Sequence, residues 1–322
     1  MSAAPIELPR WADTALVPLV SVAAALAVSG LVVIGIGESP LEATALLLRG
    51  ALGSAEGIGF TLYYTTNFIF TGLAVAVAFH AGLFNIGGEG QATIAGIFAA
   101  LACLWLAPLP AATLTVYLLV EVIGKPGSMQ PETPEFAAHA VLTPMHKLLA
   151  PLGITLPSTP LNSAFLLALA ALVAVWALIF RSRLGYAIRT VGANPRAAAY
   201  AGISPARITM VAMAISGALA GGLAVNEVMG VQHRLLLDFT AGYGFVGIAV
   251  ALMGRGHPVG VALAALLFGV LYQGGAELSF DKPSITRDMV VVIGGVIILF
   301  AGALDGLFRR AVAALLRPGR AA

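Results

Sequence analysis

The sequence predicts an all-α fold, a polytopic transmembrane helix bundle with about eight spanning helices plus one short non-spanning apolar segment. Three observations predict it. The 322 residues are 59% apolar and only 10% charged, where soluble domains carry about 25% charge. Mean hydropathy is +0.96, and apolar runs recur near the length of about 20 residues that a spanning helix needs. The apolar–polar alternation of lipid-facing barrel strands does not occur. That leaves helices, which satisfy their own backbone groups in lipid.

The expected spans are Ala15–Ile36, Gly57–Phe79, Gln91–Ala107, Leu161–Phe180, Ala206–Met229, Gly242–Met253, Val259–Gln273 and Met289–Leu307. The first, at 22 residues, exceeds the roughly 7–15 of a signal-peptide core and reads as a retained helix. Gly242–Met253 and Val259–Gln273 are short and need tilt or shelter within the bundle. Ala111–Ile123 is apolar but has only 13 residues, is bounded by Pro108, Pro110 and Gly124, and contains Glu121. It reads as non-spanning. A Pro-rich external loop, 125–160, follows, and its prolines argue against long regular structure. Gly217 and Gly221 form a G-x-x-x-G, suited to close helix packing in lipid. The single cysteine, Cys103, sits in an apolar run as a small packing residue. The whole, 1–322, reads as one transmembrane domain.

Sidedness follows from Lys and Arg. The stretch 181–207 holds five Arg and no acid, and the C-terminal tail holds Arg309, Arg310, Arg317 and Arg320. Both belong inside. The connections 37–56, 125–160 and 230–241 are acidic or mixed and belong outside. Eight crossings from an internal N-terminus satisfy both sets, and a crossing by Ala111–Ile123 breaks the count.

Two helix starts can be read inside the basic stretch. Asn194–Pro195 is an N-cap followed by proline at the first helical position. The helix runs Pro195–Ala201 and stops at Gly202. Ser204–Pro205 repeats the signal and launches the next span. The short capped helix in the loop 181–205, with Arg196 and Tyr200 on one face, reads either as a docking element or as part of an ordinary cytoplasmic loop that obeys the charge rule.

The stretch RLGYAIRTVGANPRAAAYAGIS closely resembles the coupling-loop signature of permease subunits of binding-protein-dependent ABC importers, of the simple-sugar and nucleoside uptake type. GLFNIGGEGQATIAG at Gly82–Gly96, AGYGFVGIAVALMGRGHPVG at Ala241–Gly260, and PETPEF in the external loop agree, and the match covers nearly the whole chain. The resemblance implies that the helix at Pro195 inserts into a groove on a cytoplasmic ABC ATPase subunit. It implies coupling roles for Arg189, Gly192, Asn194 and Pro195, and for Arg196, Ala198, Tyr200 and Gly202. It also implies a second permease subunit, identical or related, and an extracytoplasmic substrate-binding protein. The location implied is the bacterial plasma (inner) membrane, with both termini cytoplasmic. The chain departs from the family near Ala107–Thr115, where roughly one and a half spans are missing.

Candidate pathway residues are polar groups set against apolar helix: Asn85, Glu89 and Gln91 in GLFNIGGEGQ, Asn67 in the second span, and Asn226 beside Glu227. An acid at membrane depth is costly, so its default reading is functional; the other reading of Glu89 is a helix cap. Each asparagine also reads as a helix–helix hydrogen bond. Gly242–Gly247 matches G-x-G-x-x-G, but no strand precedes it, so it reads as close packing or a broken helix rather than a dinucleotide site. There is no Walker A sequence, no metal-ligand spacing and no nucleophile–base pair, so no cofactor, metal or enzymatic activity is expected, and no nucleic acid. The function expected is ATP-driven passage of a nucleoside or simple sugar. The alternatives are a branched-chain amino-acid or urea-type permease, a transport-defective paralogue, and a secondary transporter.

Overall fold

A computed structural model of the chain describes residues 9, 12, 16–104, 132–300 and 305–316. In chain order its helices are α1 (Val17–Gly35), α2 (Pro40–Leu52), α3 (Ala55–His80), α4 (Gly88–Cys103), α5 (Met145–Leu149), α6 (Ala164–Arg181) and α7 (Arg183–Ala193). They continue as α8 (Pro195–Tyr200), α9 (Pro205–Ala224), α10 (Tyr243–Met253), α11 (Pro258–Asp281), α12 (Arg287–Ile298) and α13 (Asp305–Leu316). A π-helix, Val225–Gln232, extends α9. The described residues of the eight expected spans fall mainly on these helices and the π-helix. The segment Ala111–Ile123 and the expected gap near Ala107–Thr115 fall outside the described residues.

Four described helices are long and apolar enough to cross a membrane alone: α3, α6, α9 with its π-helix, and α11. The helices α1 and α2 meet that test together as a pair bent by 113°. The structure corrects three boundaries. Val259–Gln273 is not short, because the helix runs on through Asp281 for 24 residues in all. The stretch 37–56 is not a plain loop, because α2 forms within it. Its start, Ser39–Pro40, is the same Ser–Pro signal as Ser204–Pro205, and the Ser39 hydroxyl accepts from the Glu42 N–H at 3.4 Å. The C-terminal stretch forms a helix of its own, α13, starting at Asp305.

The chain divides into two compact units. The larger, Ala51–Gln273, is built around α3. Ser54 caps that helix through the Gly57 N–H at 2.9 Å, and Thr65 to Ala78 are buried without interruption. The Thr65, Thr66 and Thr71 hydroxyls are satisfied within the helix, donating to the carbonyls of Thr61, Leu62 and Asn67, while Thr61 donates to the Ala51 carbonyl. The helices α6, α9 and α10 pack on it. Glycines allow close approaches to it, among them Gly222 against Phe70 and Gly247 against Thr71. On α9, Gly217 and Gly221 face Gln91 and Ala95 of α4.

The described part of the external segment is short turns and α5, as its prolines require. It is tied to the π-helix and to the chain that follows it. Thr133 N–H donates to the Leu235 carbonyl, Leu142 N–H to that of Met229, and Arg234 pairs with Glu132 at 2.9 Å. Phe136 inserts into a cluster with Cys103, Ile97, Val228 and Phe239, which accounts for the cysteine as packing.

The smaller unit, Met1–Gly50 with Gly274–Ala322, packs α1 against α12 and α13. Ala12, Val17 and Val312 form its buried cluster. Lys282 reaches Glu38 and Glu42, each at 3.1 Å, and Ser284 donates to Glu38 at 2.5 Å.

Candidate functional site

The basic stretch folds mostly as helix, which corrects the expectation of a loop at 181–205. Ser182 is extended (φ −109°) and its hydroxyl accepts from the Gly185 N–H at 2.9 Å, starting α7. Leu184, Ile188 and Val191 recur at i, i+4 and i+7, and the last two are buried. That spacing was readable in the sequence. Two of the four arginines in 181–205 turn back on the fold. The Arg189 guanidinium donates to the Ile179 carbonyl at the end of α6 and lies over the Phe180 ring at 5.5 Å. Arg181 lies over Trp176 at 5.2 Å. A cation at a helix C-terminus meets the negative end of its dipole.

Asn194 then turns the chain. Its backbone is extended, and its side-chain oxygen accepts from the N–H groups of Arg196 at 3.0 Å and Ala197 at 3.1 Å. Pro195 supplies no N–H at a position that needs none. The helix α8 ends at Tyr200, one residue before the expected Ala201, and Gly202 follows at φ +78°. Ala198 is buried, whereas Tyr200 is 95% exposed. At the other end of α7, a side chain on Gly192 would collide with the His80 carbonyl and the Gly82 N–H. So the eight expected coupling residues split. Arg189, Gly192 and Ala198 form a packed base, and Asn194, Pro195, Arg196, Tyr200 and Gly202 form the exposed tip.

The segment after α3 holds a second group. Asn85 is buried and donates to Ser216 on α9 at 2.7 Å and to Gln91 at 2.9 Å. Ser216 donates in turn to the Ala74 carbonyl at 2.6 Å. Glu89 lies in the first turn of its own helix, but its oxygens accept from the N–H groups of Gly242 at 2.8 Å and Gly244 at 2.6 Å. It therefore closes the start of α10, a helix of 11 residues. The glycines of the G-x-G-x-x-G run are what admit this approach, since a side chain on Gly244 would strike Glu89.

A third group is deeper. Glu227 on the π-helix is 2% exposed. It accepts from the Tyr63 hydroxyl and the Asn67 amide, both at 2.6 Å. Asn226 donates to Asn67 at 2.7 Å and accepts from Asn162 at 2.9 Å. Gly230 leaves the room that the Asn162 side chain fills. Asn67 and Asn226, expected separately, are thus hydrogen-bonded to each other and apart from the Asn85–Gln91 group. Tyr63 and Asn162 carried no sequence signal of their own, because their partners lie 164 and 64 positions away.

The family model described as branched-chain amino acid transport system / permease component matches residues 126–302. The glucose ABC transporter permease protein TsgB13 of Haloferax volcanii is 31% identical over 88% of this chain and 86% of its own. The guanosine ABC transporter permease protein NupP of Bacillus subtilis is 31% identical over 88% of this chain and 92% of its own. The nucleoside ABC transporter permease protein NupB of Lactococcus lactis is 31% identical over 88% and 90%. The first alignment runs over 329 positions, more than the 322 residues of this chain. Residues of that relative therefore have no counterpart here. No solved structure matches. An all-helical membrane fold, a capped surface helix and similarity along most of the chain converge: the protein belongs to the family of permease components of branched-chain amino acid-type ABC transport systems.

Proposed function

We propose that this chain is the membrane-spanning subunit of an ABC importer and passes a nucleoside or simple sugar, driven by ATP hydrolysis on a separate subunit. The observation that carries the reading is the similarity of most of the chain to permeases named for glucose, guanosine and nucleosides. The geometry supports it. The tip Asn194–Gly202 is a rigid, capped element with a tyrosine held almost wholly in solvent, more than a connection between spans requires. Its base touches the core through Gly192 and Gly82, so a push on the tip reaches α3 directly.

In this reading the partners are a cytoplasmic ATPase that receives α8, a second permease subunit and an external binding protein. The location is the inner membrane, with the basic stretch and both termini in the cytoplasm. The chain performs no chemistry itself. The solute moves because ATP favours one of two states of the bundle, and only unequal interaction with those states can do so.

The test is reconstitution in proteoliposomes with the ATPase and binding protein, scored by ATP-dependent uptake of radiolabelled guanosine and glucose. Uptake of neither removes the importer reading. A Tyr200→Asp, Gly202→Pro variant that retains the ATPase on co-purification as well as wild type removes the docking role of α8. Cysteines placed at Ala197 and Ala138 check sidedness. Ala138 should react with an impermeant maleimide from outside intact cells, and Ala197 only after permeabilisation.

A further inference from the structure

We propose that the cluster around Glu227 is the solute station of the permease and that it selects ribonucleosides, an assignment that rests on the importer reading above. Among the described residues, Glu227 is the one buried carboxylate. All its hydrogen-bond donors are neutral: Tyr63, Asn67 and the Gln232 side chain. A carboxylate neutralised by Arg or Lys is locked, because removing either partner strands a buried charge. One held by hydroxyl and amide donors can exchange them for the hydroxyls of a ligand, donor for donor.

Three further observations give the station its chemistry. Asn67, Asn162 and Asn226 form a chain of side-chain amides ending at the carboxylate. Each amide offers a donor and an acceptor side by side, the pattern that reads the edge of a heterocyclic base. A wall of tyrosines adjoins them. The Tyr63–Tyr64, Tyr64–Tyr272 and Tyr243–Tyr272 ring centroids are 4.8, 5.6 and 6.0 Å apart. Tyr64 and Tyr272 are only half-buried. Aromatic faces stack on bases of any sequence. A carboxylate beside them suits a ribose, whose vicinal hydroxyls donate to acidic side chains in nucleotide sites.

The backbone supplies the means of opening. Asn226 and Glu227 ride on the π-helix, a form that is rare and concentrated at functional positions. It ends at His233 with φ +53°, in a connection where Asp238 and Ala241 are also left-handed. Relaxation of the π-helix to an α-helix turns one residue of register, about 100°. That movement parts Glu227 from Tyr63 and Asn67 and frees the amides for a ligand.

The test uses the assembled importer in proteoliposomes with tritiated guanosine, 2′-deoxyguanosine and glucose. Wild type should favour guanosine over the deoxynucleoside by about tenfold or more in kcat/KM, as a site built to bond a hydroxyl rejects an analogue without it. Glu227→Gln should raise KM for guanosine by about tenfold and abolish that preference. Tyr272→Ala should cut guanosine uptake by about tenfold while Tyr272→Phe retains it, since stacking needs the ring and not the hydroxyl. If Glu227→Gln fails to assemble with the ATPase, the Tyr272 pair alone decides. Guanosine uptake with KM unchanged in both Glu227→Gln and Tyr272→Ala overturns the station and leaves the importer standing. Uptake of glucose without guanosine overturns the ligand class. ATP-dependent uptake of no solute overturns the importer reading, and this assignment with it.

Discussion

Glu89 Oε2 lies 2.6 Å from the backbone nitrogen of Gly244, a residue 155 positions further along the chain. Its other oxygen holds the Gly242 N–H. One carboxylate thus sits at the N-terminal ends of two helices, its own α4 and the short α10, where the partial positive charge of both favours it.

Removing that carboxylate should loosen α10. Hydrogen bonds to a charged group contribute about 1.5–3 kcal/mol each, so Glu89→Ala should destabilise the larger unit by about 3 kcal/mol or more. Glu89→Gln keeps an acceptor and should fall between. Thermal unfolding of the detergent-purified protein gives the order wild type, Gln, Ala. An unchanged midpoint in the Ala variant would show that the clamp contributes nothing.

Asn194→Ala should leave the bundle intact and fray α8. Loss of an N-cap costs about 1 kcal/mol, felt locally because the tip is exposed. Hydrogen exchange should rise at Arg196 and Ala197 with the global melting temperature unchanged, and recovery of the ATPase on co-purification should fall. Equal exchange at these two amides would contradict the cap.

Gly192→Ala should be more damaging than Gly202→Ala, although Gly202 has the left-handed backbone. At Gly202 there is open space, so the change costs only the left-handed conformation, about 1 kcal/mol. At Gly192 the added methyl meets main chain of His80 and Gly82, which cannot swing aside. Overpacking of this kind costs about 1–3 kcal/mol, and it pushes α7 away from the end of α3. Coupled ATPase stimulation should fall with Gly192→Ala and survive Gly202→Ala. The reverse order would contradict the contact.

The Glu38–Lys282 contact should weaken at both ends of the pH scale. The Ser284 hydroxyl and then Lys282 hold the Glu38 carboxyl below its ordinary value. A lowered acid stabilises fully above its unfolded value, near about 4.3, and loses that contribution as pH falls through the folded value. Glu42 and then Glu38 hold Lys282 above its ordinary value. A raised base stabilises below its unfolded value and loses its contribution as pH climbs through the folded one. The groups face solvent, so salt screens the contact. Exchange of amides 37–39 and 283–285 should be slowest near neutral pH and faster in high salt. A flat profile would remove the contact.

What the sequence disclosed depended on range. Asn194–Pro195 and Ser204–Pro205 were legible because a cap and its helix lie within four residues. The span α11 was cut short at Gln273 because hydropathy drops across GGAELSFD, although helical hydrogen bonding continues to Asp281. Glu89 was visible as an acid against apolar helix, but its partner amides belong to a distant glycine run that no local rule connects to it. Asn67 and Asn226 were visible singly, but their meeting with each other, with Tyr63 and with Asn162 around Glu227 was hidden for the same reason. The members of this group come from three separated stretches, and the π-helix that aims two of them leaves no periodic mark on eight residues.

The long helix α3 has a consequence for biosynthesis. It is the least apolar of the four helices able to cross alone and the most deeply enclosed. Tyr63 and Asn67 lack their partner Glu227, and the helix its enclosure, until α6, α9 and α10 surround it. A ribosome delivers α3 before any of those three. The nascent segment must therefore wait at the insertion machinery, or lie transiently unsettled in lipid, until most of the chain has been made. Truncation after α4 should consequently leave a protein that inserts poorly and is degraded quickly. Pulse-chase of that fragment against the full chain would show whether the core of this permease is assembled last although it is synthesised early.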